Sequence, residues 1–317
     1  MLVYLILLPI LAGEVIVRAQ DDGGRFSTGE TSVIIDPPDP QPALITQTRR
    51  EDQDNPKFQG TKVNTAFDNS SNSLTLAGIG LFDTITDFDN ETSIDFVGGV
   101  APSGTYEFGG TAGGTFLDLG GVFALDLKKH MKSQAIFPND LLDNRGLIDS
   151  LQDFDGTDSV DVNAILEVNV TDDDPNSGGA TYKGFQTFAN GNFKGRGFKF
   201  RTTLTSNDSA QTIQVTELGY TASLQRRTEQ NATAISSGAG AKNVTFDHPF
   251  FVGTSSLLGT NTHLPSVGIT ALNMASGDIF ELTNIASTGF TVHFKNSSGA
   301  SIDRNFNFTA VGFGKGG

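Results

Sequence analysis

From Val244 to Phe313 apolar and polar residues take turns along the chain. Val267, Ile269 and Ala271 alternate with Gly268 and Thr270, and Phe280 and Leu282 with Glu281 and Thr283. The same period of two runs through Phe290-Thr291-Val292-His293-Phe294-Lys295 and Phe306-Asn307-Phe308-Thr309-Ala310. Successive side chains on a strand point to opposite faces, so this spacing predicts strands with one buried face. Ala275-Ser276-Gly277-Asp278, Ser287-Thr288-Gly289 and Asn296-Ser297-Ser298-Gly299 break the pattern with turn chemistry. Together with Val244-Thr245-Phe246 these segments predict five short strands in a small antiparallel β-sandwich.

Between Lys57 and Leu224 the same kind of alternation predicts a larger β-sandwich, jelly-roll-like in its many strands and its Gly, Asn and Asp breaks. Its strands are expected at 58–66, 73–76, 105–108, 116–127, 160–170, 182–188, 197–205 and 212–224, with a short helix within 140–154. The polar run Thr46 to Pro56, with Arg49-Arg50-Glu51-Asp52, reads as surface chain. Gln225 to Asn231 and the Gly/Ser stretch 236–240 read as a flexible hinge before the terminal module. Asp36-Pro37-Pro38-Asp39-Pro40 is an extended spacer. Ahead of it, Gly13 to Ala19 and Ser32 to Ile35 form a strand pair around Asp21-Asp22-Gly23-Gly24, similar to the end of a fibronectin type III module. The apolar run Val3 to Ala12 is too short to span a bilayer as a helix. A signal peptide is the rival reading, but no basic residue precedes the run. The organisation expected is all-β, with boundaries at 1–42, 43–230 and 231–317.

Composition sharpens this in three ways. The absence of cysteine removes disulfides and zinc-thiolate sites. A module as small as the terminal one buries only about 60% of the surface its unfolded chain exposes, so oligomerisation is the remaining common device for stabilising it. A formal charge of -15 argues against nucleic acid as a partner. The acid is unevenly spread: after Asn231, Lys242, Lys295, Arg304 and Lys315 balance Asp247, Asp278, Glu281 and Asp303.

Several segments also carry a family resemblance. Phe58-Gln59-Gly60-Thr61, Leu117-Asp118-Leu119-Gly120, Thr171-Asp172-Asp173-Asp174-Pro175 and Arg196-Gly197-Phe198-Lys199-Phe200-Arg201 lie in the larger domain. Phe246-Asp247-His248-Pro249-Phe250, Pro265-Ser266-Val267-Gly268-Ile269, Thr288-Gly289-Phe290-Thr291-Val292-His293-Phe294 and Ile302-Asp303-Arg304-Asn305-Phe306 lie in the terminal one. In order and spacing they resemble the C-terminal region of the host-specificity proteins, or central tail fibres, at the tail tip of long-tailed bacteriophages. The terminal module is similar to H-type lectin domains, six-stranded sandwiches that trimerise and bind sugars. The resemblance implies a virion tail protein, made in the bacterial cytoplasm, that attaches to a host glycan or outer-membrane component. It implies a homotrimer in contact with other tail-tip proteins, without membrane insertion and without catalysis.

Candidate chemistry is sparse. His293 and Lys295 share the polar face of one predicted strand, which reads either as an ordinary exposed strand face or as a hydroxyl-binding patch with Asp278, Glu281 or Arg304 nearby. The long turn Phe251 to Leu264, with His263, is expected to face the receptor, because loops vary while a scaffold holds them, or else to form a partly buried subunit contact. Asp172-Asp173-Asp174 with Asn176 could gather around Ca2+, or form a turn between strands, as Pro175 favours. Asp153 to Asp158 poses the same alternative. No cofactor is expected. Paired carboxylates of the glycosidase kind are too abundant here to single out, and no regular repeat of a depolymerase solenoid is visible.

Overall fold

A computed structural model describes residues 14–17, 31–34, 44–53, 57–78, 99–136, 161–208 and 211–316. The chain divides into two compact units, Met1–Ala43 and Leu44–Gly317. In the first, β1 (Glu14–Val17) pairs antiparallel with β2 (Thr31–Ile34), Glu14 opposite Ile34. This is the strand pair that the alternation there predicts. The apolar run 3–12, the expected helix in 140–154 and the acidic loop 153–158 lie outside the described residues.

The second unit is all-β and antiparallel. Its larger sandwich contains β3 (Leu44–Arg50), β4 (Thr61–Val63), β5 (Thr65–Asp68), β6 (Ser73–Leu76), β7 (Ser103–Phe108), β8 (Leu117–Ile136), β9 (Val162–Thr171), β10 (Gln186–Thr187), β11 (Gly191–Ser206) and β12 (Thr212–Gln230). The smaller one contains β13 (Ile235–Ser236), β14 (Lys242–Thr245), β15 (Ser266–Leu272), β16 (Ile279–Ala286), β17 (Gly289–Lys295) and β18 (Asn305–Phe313), followed by β19 (Lys315–Gly316). The predicted strand 58–66 is split into β4 and β5, because Asn64 between them adopts φ 52°. Strand 182–188 shrinks to β10, whereas β8 and β12 outrun their predicted ends. Beyond Leu127 most of β8 is solvated on both faces, which erases the two-residue period although the ladder to β12 continues to Ile136.

The larger core is built on an aromatic row. The rings of Phe200 and Tyr220 stack with centroids 4.2 Å apart, Phe108 lies 5.5 Å from Phe200, and Tyr106 lies 6.0 Å from Phe108. All four are buried. Such pairs add to the gain from burial itself.

Glu51 brings a carboxylate into this core. The run read as surface chain is β3, hydrogen-bonded along β12 from Gly219↔Arg50 to Gln225↔Leu44, and it delivers Glu51 to a fully buried position. Arg49 Nη2 donates to Glu51 Oε1 at 2.7 Å, and the Tyr106 hydroxyl donates to Oε2 at 2.5 Å. The Gly60 amide in turn donates to the Tyr106 oxygen at 2.7 Å. Burial, with Glu51 alongside, holds the Tyr106 phenol well above its ordinary pKa.

The smaller sandwich stacks two three-stranded sheets, β14-β17-β16 and β13-β18-β15. Val244, Phe246, Phe250, Phe290, Val292, Phe294, Phe306, Phe308 and Ala310 fill the space between them. The two sandwiches are not joined by a hinge. Gln225 to Gln230 belong to β12, whose residues Arg226–Gln230 pair with Phe313–Thr309 of β18. Lys315 and Gly316 of β19 then pair with Ala124 and Phe123 of β8. A polar stretch thus became strand because backbone groups, not side chains, make the ladder.

Removing the Glu51 carboxylate while leaving Arg49 buried should be severe. Glu51→Ala is expected to lower stability by about 3–5 kcal/mol, against about 1 kcal/mol for Tyr106→Phe, which keeps the ring. Urea unfolding checks both, and equal small losses would mean that the group is solvated.

Candidate functional site

The six residues singled out in the sequence, His263, Asp278, Glu281, His293, Lys295 and Arg304, separate into three places. Asp278 and Arg304 are bound to one another: Asp278 Oδ2 accepts from Arg304 Nε at 2.9 Å and Nη2 at 2.6 Å, and from the Ala275 amide at 2.8 Å. The Asp278 side chain is only 3% exposed, so this pair clamps the turn before β16 to the start of β18 and is closed to a ligand. Asp303 beside it accepts from the Gly238 amide and the Ser236 and Ser237 hydroxyls, tying β13 down.

His263 lies elsewhere. Its ring meets Phe313 edge-on at 6.1 Å, and its amide donates to the Val252 carbonyl at 3.3 Å. The loop that carries it was expected to face a receptor. Its first half is packed on the larger sandwich, whereas 259–262 and Leu264 are exposed. Phe251 and Leu257 are each 1% exposed and join the larger core, and Phe251 meets Phe123 at 5.9 Å. Thr254 Oγ1 donates to the Asp118 carbonyl at 2.5 Å, and the Leu258 amide donates to Gln47 Oε1 at 2.6 Å. Gly253 is required at the root of the loop, since at φ +92° a Cβ would stand 1.8 Å from the Gly259 oxygen.

His293 and Lys295 do lie together on an open face. In the β16–β17 ladder Glu281 stands opposite His293 and Ile279 opposite Lys295, so all four project outward from the sheet. Lys295 Nζ donates to Glu281 Oε2 at 2.8 Å, and His293 Nε2 shares a hydrogen with Ser301 Oγ at 2.7 Å. Further along the same face Thr291 Oγ1 donates to Asn243 Oδ1 at 2.8 Å. Asn243 and Ser301 carried no signal in the sequence, because only strand register brings them beside β17. Glu281 is held below the usual carboxylate range by the Lys295 hydrogen bond. Lys295 and Glu281 are 26% and 50% exposed, and a solvated pair of this kind opens at little cost when a ligand offers better partners. The face can exchange hydrogen bonds with hydroxyl groups.

The acidic loop after β9 is a turn. Lys183 donates to Asp172 at 2.9 Å, the Thr181 amide to Asp173 at 2.8 Å, and Arg196 to Asp174 at 2.9 Å, so the three carboxylates point to different partners. Asn176 reaches Asp118 at 2.9 Å and holds the turn to β8.

One side of the small sandwich is incompletely covered. β15 and β16 are the outer strands of its two sheets, and around them Met274, Ile279 and Phe280 are 37%, 53% and 39% exposed. The core-facing Val267, Ile269 and Leu282 are only partly buried. Comparison with known protein families, with curated proteins and with solved structures finds no match.

Three carboxyls of this module, Asp278, Glu281 and Asp303, have folded-state pKa values below those of a free chain, owing chiefly to the Ala275 amide, Lys295 and the Ser236 hydroxyl respectively. A depressed carboxyl lends stability that is complete above the unfolded value of about 4 and is lost as the pH falls through the folded value. The thermal midpoint is therefore expected to drop between about pH 5 and about pH 2, and Arg304→Met should flatten that drop. An unchanged slope in the variant would show that Arg304 does not hold Asp278 charged.

Proposed function

We propose that the chain is a host-attachment protein of a bacteriophage tail tip, non-enzymatic, in which three copies of the terminal sandwich assemble and touch a cell-surface glycan or outer-membrane component. The observation that carries this reading is the uncovered side of that sandwich. Met274, Ile279 and Phe280 cluster in sequence at the β15–β16 connection, on a module with no covalent staple, where a sister chain would remove apolar surface from water. The segments quoted above, spread over both sandwiches, carry the tail-fibre resemblance, and an all-β terminal sandwich is compatible with it.

Assembly would repeat the His293–Lys295–Glu281 face three times around an axis. A contact too weak to hold one copy then gains avidity without any new interaction. Rigid joining to the larger sandwich through β12 suits a device that must present this face at a fixed angle.

The full chain should sediment as a trimer at micromolar concentration and bind host cells, but not mutants selected for resistance to the phage. Phe280→Glu is expected to give monomers and to weaken cell binding by more than tenfold. His293→Ala with Lys295→Ala should weaken binding while leaving the trimer intact. A stable monomer that binds equally well would contradict the reading. Release of oligosaccharide from host surface polymer would select a depolymerase, and phage adsorption unaffected by deletion of 231–317 would select a purely structural fibre.

A further inference from the structure

A cavity of 490 Å³ opens on the sheet face beside the join of the two sandwiches, lined by Asp126, Asn192, Lys194, Ser223, Gln225 and Lys315 around Ala124. Strand register explains its shape. Ala124 of β8 is flanked by Lys194 of β11 on one side and Lys315 of β19 on the other. One step along, Asp126 is flanked by Asn192 and Ser223. A methyl group therefore forms the floor, and two lysines about 10 Å apart, twice the spacing between neighbouring strands, form the walls. Gly314 makes this possible. At φ +88° it turns β18 into β19, and a Cβ there would meet Phe123 at 2.8 Å and Phe251 at 2.9 Å.

The side chains around the cavity are uncommitted. Elsewhere on the sheet several charged groups are paired: Glu217 with Lys132 and Arg50, Glu167 with Arg201, Asp118 with Arg196. Among the described residues none of the six polar side chains here makes a hydrogen bond or an ion pair. Six unspent donors and acceptors converging on a volume within the usual range of about 300–1,000 Å³ is the makeup of a ligand site.

Their chemistry narrows the ligand. Two ammonium groups against one carboxylate favour an anion, in a chain whose formal charge is -15. A bare anion would be repelled by Asp126, which instead accepts hydrogen bonds from hydroxyls, while Asn192, Ser223 and Gln225 can donate as well as accept. The lining holds no aromatic ring on which a nucleobase could stack. We propose that this groove binds an acidic saccharide, a sugar carrying a carboxylate or phosphate. Lys194 and Lys315 hold the anionic group and Asp126, Asn192, Ser223 and Gln225 take the hydroxyls. The site is distinct from the His293 face and stands whether or not that face touches a host.

The test is calorimetric titration of the full chain with uronate-, sialate- and phosphate-bearing tetrasaccharides, with a neutral tetrasaccharide and with inorganic phosphate. At least one acidic tetrasaccharide should bind more than tenfold tighter than the neutral one and more than tenfold tighter than phosphate. Lys194→Ala and Lys315→Ala should each weaken it at least fivefold. Ala124→Phe, which fills the floor without changing charge, should abolish binding at an unchanged thermal midpoint, and His293→Ala should leave it unaltered. The proposal is overturned if no acidic member binds, if the neutral sugar or phosphate binds as tightly, or if the lysine and Ala124 variants, shown to be folded by their thermal midpoints, bind like the parent.

Discussion

Everything in the second unit depends on one backbone ladder. β12 runs from Thr212 to Gln230, bonding first to β8 and β3 inside the larger sandwich and then to β18 inside the smaller one. Peptide groups taken out of water must find partners, and by sharing a strand the two sandwiches satisfy theirs in a single continuous sheet. β19 returns to β8 where β12 has left it, so the join is crossed twice by hydrogen-bonded chain. The packed loop around Phe251 and Leu257 crosses it a third time, through apolar contact with the larger core.

This explains which parts of the fold were legible in the sequence. The strands of the terminal module were, because one face of each is buried and the other is wet, and that difference is written in side chains. Gln225-Arg226-Arg227-Thr228-Glu229-Gln230 has no apolar alternation, and so it reads as a hinge although its backbone is paired along β18. Arg227 illustrates the compensation: its guanidinium stacks 3.8 Å from the Phe250 ring and bonds to Glu229, so a charged residue still packs. β3 was hidden in the same way, since only Ile45 of its seven residues is buried. The loop 251–264 carried a warning in Phe250-Phe251 and Leu257-Leu258, apolar pairs that a solvated turn has no reason to keep.

The candidate site was legible only in its residue types. Strand periodicity places His293 and Lys295 on one face, with Glu281 expected near them, but Asn243 and Ser301 come from register and turn geometry. Asp278 and Arg304 looked available in sequence and are spent on one another in the fold. Charge in a sequence is thus a poor guide to a site until its intramolecular partners are known. The groove between Lys194 and Lys315 makes the converse point, since residues 121 positions apart in the chain flank one alanine only because two strands bracket β8 there.

A rigid join has a functional consequence: the terminal sandwich cannot pivot on the larger one, so whatever it touches is met at an angle set by the sheet. Native-state hydrogen exchange of the amides from Arg226 to Gln230 tests this most directly. Those of them that bond to β18 are predicted to be as protected as those of β12 between Leu218 and Leu224, opening only with the global unfolding of the unit. Exchange at the rate of a solvated loop, while the flanking sandwiches stay protected, would show a hinge and contradict the account.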